Sequence, residues 1–491
     1  MDPVTRVAAG LTKIRPHSGP VRPHAKTNTG DDSVRTTVSA AIALTLAAGA
    51  TPAFAADGPS AKGGPSSTSG IWRMDGYGTV LDLRDGELRE YQTTAVSCLT
   101  GFTGRETRPG VYTTPDNVVL RVRTLPRRDR ASLGIDGSVG HRNLQRIPAL
   151  PDACTRPAAE GPLATFDVFW SSFAENYPFF AAKGIDWDGV RAHYRPKVHA
   201  DTTREELFTV FRDMVAPLYD AHVSVGDIEH YFAHGRPGTV LPTEEFDAEV
   251  KKHIVRRDLK NARGVRDFGN GRITYADLPG ERGYLRISGF GGYADEGAPY
   301  SAERAELDKA LDAILTEERV ERLKGLVIDL RVNGGGSDAL GIRVAERLTD
   351  ASYVAYTKRA RNDPADPAKY TRPEPIRVSP AEAPRYTGPV AVLTGGSTVS
   401  AGETLTQALI DRPGRVVRIG EPTQGVFSDI MGRVLPNGMG AVLPNEQYLT
   451  RTGDTFDGPG IPPHLKEPVF TEEEFAKERD SAFDRALNVL R

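Results

Sequence analysis

The chain has no excess of charge of either sign. Its 62 basic and 65 acidic side chains leave a net charge of −3 over 491 residues. Such a balance gives no global attraction to nucleic acid or to an anionic membrane surface. Cysteine is nearly missing: Cys98 and Cys154 are the only two. Neither stands beside a histidine or in a basic setting, so nothing argues for a reactive thiol. Long apolar runs are scarce as well. The stretch from Val38 to Ala50 is too short and too alanine-rich to span a bilayer stably. The glycine turn Gly334-Gly335-Gly336 lacks a following Gly-Lys-Ser/Thr and does not match a dinucleotide fingerprint, so no nucleotide cofactor, and no other cofactor, is expected.

What is present begins with an export signal. Arg35 flanks an apolar core that ends in the small-residue site Ala53-Phe54-Ala55, the pattern of a secretory signal peptide cleaved before Ala56. The stretch ahead of it is polar and contains arginine and proline, unlike a signal peptide, and the true start is expected near Val34. Residues 1–55 are therefore read as a leader, and the mature protein as secreted and extracellular. Export permits disulfides, and Cys98 and Cys154 are expected to pair.

Length allows two or three domains. Residues 56–70, rich in Gly, Ser, Lys and Pro, read as a flexible linker. Between 71 and 155, short strand-like segments such as Thr79–Leu83 and Val118–Val122 alternate with Gly and Pro, which predicts a small β domain without a catalytic constellation. From 156 to 235 the spacing turns helical. Phe166, Phe169, Trp170, Phe173 and Tyr177 form one apolar stripe, a core face. A second helix is predicted after the capping box Thr203–Glu206, running into Tyr219-Asp-Ala-His222. Residues 236–491 alternate strands with helices, the pattern of βαβ units around a parallel or mixed sheet.

The chemistry concentrates in Gly388–Glu403. The buried-strand run Val390–Leu393 ends at Gly395-Gly396, and Ser400-Ala-Gly-Glu403 opens a helix. A serine hydroxyl is thereby set at a helix N-terminus, where unpaired amides favour an anion. Ser-x-x-Glu is equally the signature of an ordinary capping box. One further pair, His230 and His234, has spacing that would put both rings on one helical face. It lacks the glutamate of the zinc-protease motif and a third ligand, so no metal site is expected.

Gly283-Tyr-Leu-Arg, Ile328-Asp-Leu-Arg-Val-Asn-Gly-Gly-Gly336, Ser400-Ala-Gly-Glu403 and Gly420-Glu-Pro-Thr423 occur in this order. Tyr219-Asp-Ala-His222 precedes them, and Asp457-Gly-Pro-Gly-Ile-Pro-Pro463 follows. From about Phe166 to the C-terminus the chain resembles the S41 family of serine peptidases, which includes tail-specific proteases and the tricorn core protease. The resemblance implies a crotonase-like (ClpP-like) ββα spiral core with a helical subdomain, here preceded by the small N-terminal β domain. Tail-specific members use a lysine base after Gly-Glu-Pro-Thr. Here Gln424-Gly-Val426 stands there, and no lysine occurs between Ser400 and Lys466. The resemblance therefore points to the tricorn-like branch with a serine and a histidine. The segment between His222 and Gly283 is too short for a PDZ domain.

On that reading the protein is a secreted serine endopeptidase acting on peptide or protein substrates. Ser400 is the nucleophile, His222 the general base, and Asp457 the carboxylate that orients the imidazole, where the family usually has glutamate. The neighbouring Asp454 is a possible helper. Amides of Gly335 or Gly336 and of Ala401 would meet the oxyanion, and Glu403 would be structural. The competing readings are a non-catalytic binding protein for apolar ligands on the same fold, and a hydrolase of esters or lactams using the same serine.

Overall fold

The structure, a computed structural model, describes residues 68–491. The leader, the cleavage site before Ala56 and nearly all of the linker lie outside the described residues.

Eight antiparallel strands, from Gly70–Met74 to Arg142–Ile147, close into a barrel in which the last strand pairs back onto the first. In several strands alternation separates an inner from an outer face. In Glu87–Thr93, Leu88, Glu90 and Gln92 point inward and are buried, while Glu87 and Arg89 face solvent. In Val119–Thr124, Leu120 and Val122 do the same. A barrel has no edge strand, so short segments of this kind need no partner sheet. Cys98, at the start of the strand Cys98–Arg108, is bonded to Cys154 in the short 3₁₀ turn Asp152–Thr155. The exit segment is thus stapled to the barrel wall.

The helix Pro162–Asn176 buries its phenylalanine stripe as the spacing predicts. Phe169 stacks on Phe211 of the helix Arg204–Val215, ring centroids 4.0 Å apart. Thr203 and Glu206 form the expected capping box at the start of that second helix.

The body is organised by a seven-stranded sheet. Arg263–Phe268, Ile273–Leu278 and Arg282–Ile287 form an antiparallel meander, and Gly325–Asp329, Val390–Thr394, Val416–Gly420 and Leu465–Lys466 continue it in parallel. Parallel strands covered on both faces read as unbroken apolar runs, because both side-chain sets are buried. In Val390–Thr394, Val390 and Val392 face a core shared with Leu307, Leu311 and Leu405. Ala391 and Leu393 face the opposite layer with Ile254, Phe483 and Ala486. The helices Tyr300–Ile314, Asp338–Glu346 and Ala401–Ala408 cover the first face, and Glu244–Arg257 and Ser481–Val489 the second. Arg331 is buried between Asp329 (2.7 Å) and Asp480 (2.6 Å), tying the sheet to the C-terminal helix.

Candidate active site

Ser400 sits where the buried strand Val390–Thr394 has turned and the helix Ala401–Ala408 begins. Its backbone is held at φ 54°, ψ −118°, a region an L-residue occupies only when its surroundings enforce it. Four hydrogen bonds enforce it. Val399 donates its amide to the Asn333 carbonyl at 3.0 Å. Gly402 and Glu403 return theirs to Val399 and Ser400 carbonyls. The amide of Ser400 donates to Glu403 Oε2 at 3.1 Å. A sharp strand-to-helix turn of this kind presents a serine hydroxyl instead of burying it, and Ser400 is half-buried although both its neighbours are buried.

Glu403, expected as a cap, reaches further than the cap. It is fully buried and also accepts the amides of Gly425 (2.7 Å) and Val426 (2.9 Å). Burial pushes its carboxyl up to about 8 in spite of those donors. The segment 425–427 is thereby fixed beside the nucleophile turn. It lies where tail-specific members of the resembling family carry a lysine, and here it works through its backbone.

Phe427 connects the remaining groups. Its carbonyl lies 3.1 Å from His222 Nδ1. A carbonyl can only accept, so Nδ1 carries the proton and Nε2 keeps its lone pair, the tautomer a general base needs. His222 is only 9% exposed, and burial lowers its pKa below the ordinary 6.5. Asp220, two residues earlier, accepts the His222 amide at 3.0 Å and the Tyr177 hydroxyl at 2.8 Å. Lys183 Nζ stands 3.9 Å from the same carboxylate.

Asp457 is buried, but its hydrogen bonds go elsewhere than the imidazole. Oδ1 accepts the Phe427 amide at 3.1 Å, and Oδ2 accepts the Thr455 hydroxyl at 2.5 Å. It therefore holds the residue that holds the ring. Burial, with nearby Asp220 adding to it, pushes its carboxyl up to about 7. Asp454 lies on an exposed turn and accepts from Thr452.

The glycine loop packs directly on the serine. A Cβ on Gly335, whose φ is +82°, would come within 2.6 Å of Ser400 Cβ, and one on Gly336 within 2.2 Å of the Phe290 carbonyl. Only glycine fits at either place. The sequence reading counted the Gly335 amide as an oxyanion donor, but it donates to Asn333 Oδ1 at 2.9 Å. That buried side chain is itself fixed by donating to the Ile287 carbonyl at 2.8 Å. Of the two glycines named as donors, Gly336 is then the loop's remaining candidate, and Ala401 stands at the helix start.

The histidine pair resolves differently from its helical reading. Tyr231–Ala233 is a β-strand, so His230 and His234 flank a strand and do not share a helix face. His234 Nε2 lies 2.6 Å from the Ala216 carbonyl, and His230 Nδ1 lies 3.6 Å from Asp227. Among the described residues no group of three or more His, Cys, Asp or Glu is arranged to hold a metal ion.

Three groups escaped the sequence reading. The Phe427 carbonyl and the Val426 amide are backbone atoms and carry no side-chain signature. Asp220 was visible as the aspartate two before a histidine, a common local amide-binding spacing.

A half-buried serine on a strand-to-helix turn packed by a glycine loop, with the adjoining segment 425–427 hydrogen-bonded to a buried imidazole, is compatible with a site of the serine-peptidase type on an α/β fold. Comparison with known proteins narrows the class. Residues 281–467 match the profile of peptidase family S41, and residues 162–216 match the tricorn protease C1 domain. Over these two segments the chain is similar to S41 peptidases. It is 27% identical over 206 residues to a carboxy-terminal-processing protease of Bartonella bacilliformis, covering 41% of this chain and 42% of that one. It is 31% identical over 153 residues to the chloroplastic carboxyl-terminal-processing peptidase 2 of Arabidopsis thaliana, covering 30% of this chain and 27% of that one. The chain thus spans less than half the length of these curated relatives. A crystal structure of a protein assigned as a peptidase in Parabacteroides merdae superposes with a TM-score of 0.56 at 25% identity, over 68% of this chain and 97% of that one.

Proposed function

We propose that this protein is a serine endopeptidase with a crotonase-like spiral core, in which Ser400 is the nucleophile and His222 the general base. The observation that carries the reading is the hydrogen bond between His222 Nδ1 and the Phe427 carbonyl, which leaves Nε2 as the proton acceptor. Serine is a weak nucleophile at neutral pH, so a base must remove its proton during attack. Ser400 Oγ adds to the peptide carbonyl as its proton passes to His222 Nε2. The resulting oxyanion is met by the amides of Ala401 and Gly336, donors typically worth about 3 kcal/mol each. The imidazolium then gives its proton to the departing amine, leaving an acyl-serine. Water, deprotonated by the same imidazole, hydrolyses the ester. Asp457 acts as a positioning residue through Phe427, and Glu403 holds the 425–427 backbone against the serine turn.

The mature enzyme is proposed to act outside the cell after removal of the leader, with the disulfide Cys98–Cys154 formed on export. Among the described residues no helix is long and apolar enough to cross a membrane. A non-catalytic carrier of apolar ligands is not favoured, because the curated relatives are named as processing peptidases. The test is labelling by a fluorophosphonate together with cleavage of a peptide library. Wild type should label and cleave, and Ser400→Ala should do neither; label on Ser400→Ala, or cleavage retained by it, refutes the assignment.

A further inference from the structure

The N-terminal barrel encloses a cavity of about 450 Å³ that opens onto the catalytic body. Its lining passes from the barrel wall to Gly336 and Ser337, the residues immediately after the glycine packed on Ser400. Barrel and body are joined at this lip. Ser337 donates its hydroxyl to the Gly137 carbonyl at 2.6 Å, and Arg142 meets Asp429 at 3.4 Å. An eight-stranded barrel is wide enough to fill with side chains or to hold one small guest, and a void of this size is within the range of ligand pockets.

The chemistry of the wall says what the guest is. Many of its polar groups already have partners within the protein. Glu90 accepts from Gln92 and from the Phe102 amide. Gln92 also bonds the Gly432 carbonyl and the Val434 amide. Thr79 donates to the Tyr77 carbonyl, and Asp136 is clasped by Arg121. Asp429 is held by Arg142 and Lys358, Thr114 accepts the Val118 amide, and the apolar part of the lining is Met74, Phe102, Leu120, Leu133, Ile135 and Met431. A polar guest would lose its water without gaining partners there, whereas an apolar one gains about 25 cal/mol for each Å² it buries.

We propose that the barrel interior is the specificity pocket of the peptidase, receiving large apolar side chains of the peptide substrate next to the scissile bond. The proposal rests on the endopeptidase reading for its substrate. The position of the lip, one residue beyond Gly335, brings any chain entering the barrel past the nucleophile. The barrel then selects unfolded or partly unfolded segments rich in Leu, Ile, Phe or Met, because such side chains are buried in folded proteins.

The test separates binding from turnover. Fluorescent hexapeptides rich in Leu and Phe, and matched peptides of Ser and Asn, are titrated by anisotropy against Ser400→Ala, and their cleavage is followed with wild type. Val118→Trp, from the turn before Val119–Thr124, and Ile135→Trp, from the strand Arg130–Ile135, plug the cavity from two different places, and Arg123→Trp places the same bulk on the barrel's outer face. Circular dichroism melting identifies the variants that fold. The apolar peptides should bind at least tenfold more tightly than the polar ones. Each folded plug should weaken that binding at least tenfold and raise KM more than it lowers kcat, and Arg123→Trp should do neither. Equal binding of both peptide sets, or apolar binding and cleavage unaffected by a folded plug, overturns the proposal. Apolar peptides that bind and are weakened by the plugs, yet are not cleaved by wild type, would sink the endopeptidase reading and leave the pocket standing.

Discussion

At the scale of single residues the site is a balance of strain and burial. Ser400 is held at φ 54°, where any side chain with a Cβ is strained by about 1–3 kcal/mol. Ser400→Ala keeps the Cβ and should abolish hydrolysis with little change in melting temperature. Ser400→Gly should be equally inactive but about 1–2 kcal/mol more stable than Ser400→Ala in a denaturant titration, because glycine adopts this backbone freely. An equal or lower stability would mean the turn stores no strain at the serine. For His222 the sign of the pH effect is fixed by burial, which lowers its pKa from 6.5. The neutral, base-competent ring therefore persists to more acid pH than in a free histidine. The acid limb of kcat/KM should have its midpoint below 6.5, and a midpoint at 7 or above would contradict the buried imidazole. Acidification through the same window should destabilise the fold, since the unfolded chain takes up the proton first.

At the scale of elements, the segment 425–427 is the joint between serine, histidine and carboxylate. Glu403 ties it to the serine turn through three amides. Glu403→Ala leaves those amides buried without partners, at about 1–3 kcal/mol each, and should melt far below wild type. Its carboxyl is raised from 4.5 to about 8, so the folded state keeps a proton that the unfolded chain releases. That contribution to stability is complete below 4.5 and is lost as pH rises to 8. Glu403→Gln, a mimic of the protonated acid, should fold and lose that part of the slope in a melting series. Asp457 grips the same joint from the other side. Asp457→Asn can still accept the Phe427 amide with its carbonyl and turn its NH₂ toward Thr455. It should lower kcat less than Asp457→Ala, which frees Phe427. Equal losses in kcat would argue that the negative charge itself acts on the imidazole.

For the whole molecule, the barrel is built into the body and does not hang from it. Arg433 of the body donates to the Tyr77 and Gly78 carbonyls of the barrel, and Asn445 to that of Gly76. Buried Lys358 lies between Asp429 and Glu446 beneath the barrel, and Arg142 of the barrel pairs with the same Asp429. The disulfide closes a loop with a sequence separation of 56 residues. Removing a link of that span costs about 4 kcal/mol in the chain-entropy account. Cys98→Ser with Cys154→Ser should lower the melting temperature in non-reducing buffer, and an unchanged transition would show that the barrel is held by its strands alone.

Local chemistry wrote much of this protein openly. The run Val390–Leu393 announced a strand buried on both faces, the phenylalanine stripe a helix core, and Thr203–Glu206 a helix start. Each depends only on neighbours along the chain, which is why spacing revealed it. The short strands between 71 and 155 were visible for the same reason, but their closure was not, because pairing the last strand with the first is a long-range event. The strand nature of Tyr231–Ala233 was hidden because it exists only by pairing with Ser224–Gly226. Tertiary structure alone gave the Gly335 amide to Asn333, moved Asp457 from the imidazole to the Phe427 amide, and set a backbone carbonyl against His222. Those decisions are hydrogen bonds between segments far apart in the chain, made by backbone atoms that every residue possesses, and no pattern of side chains records them.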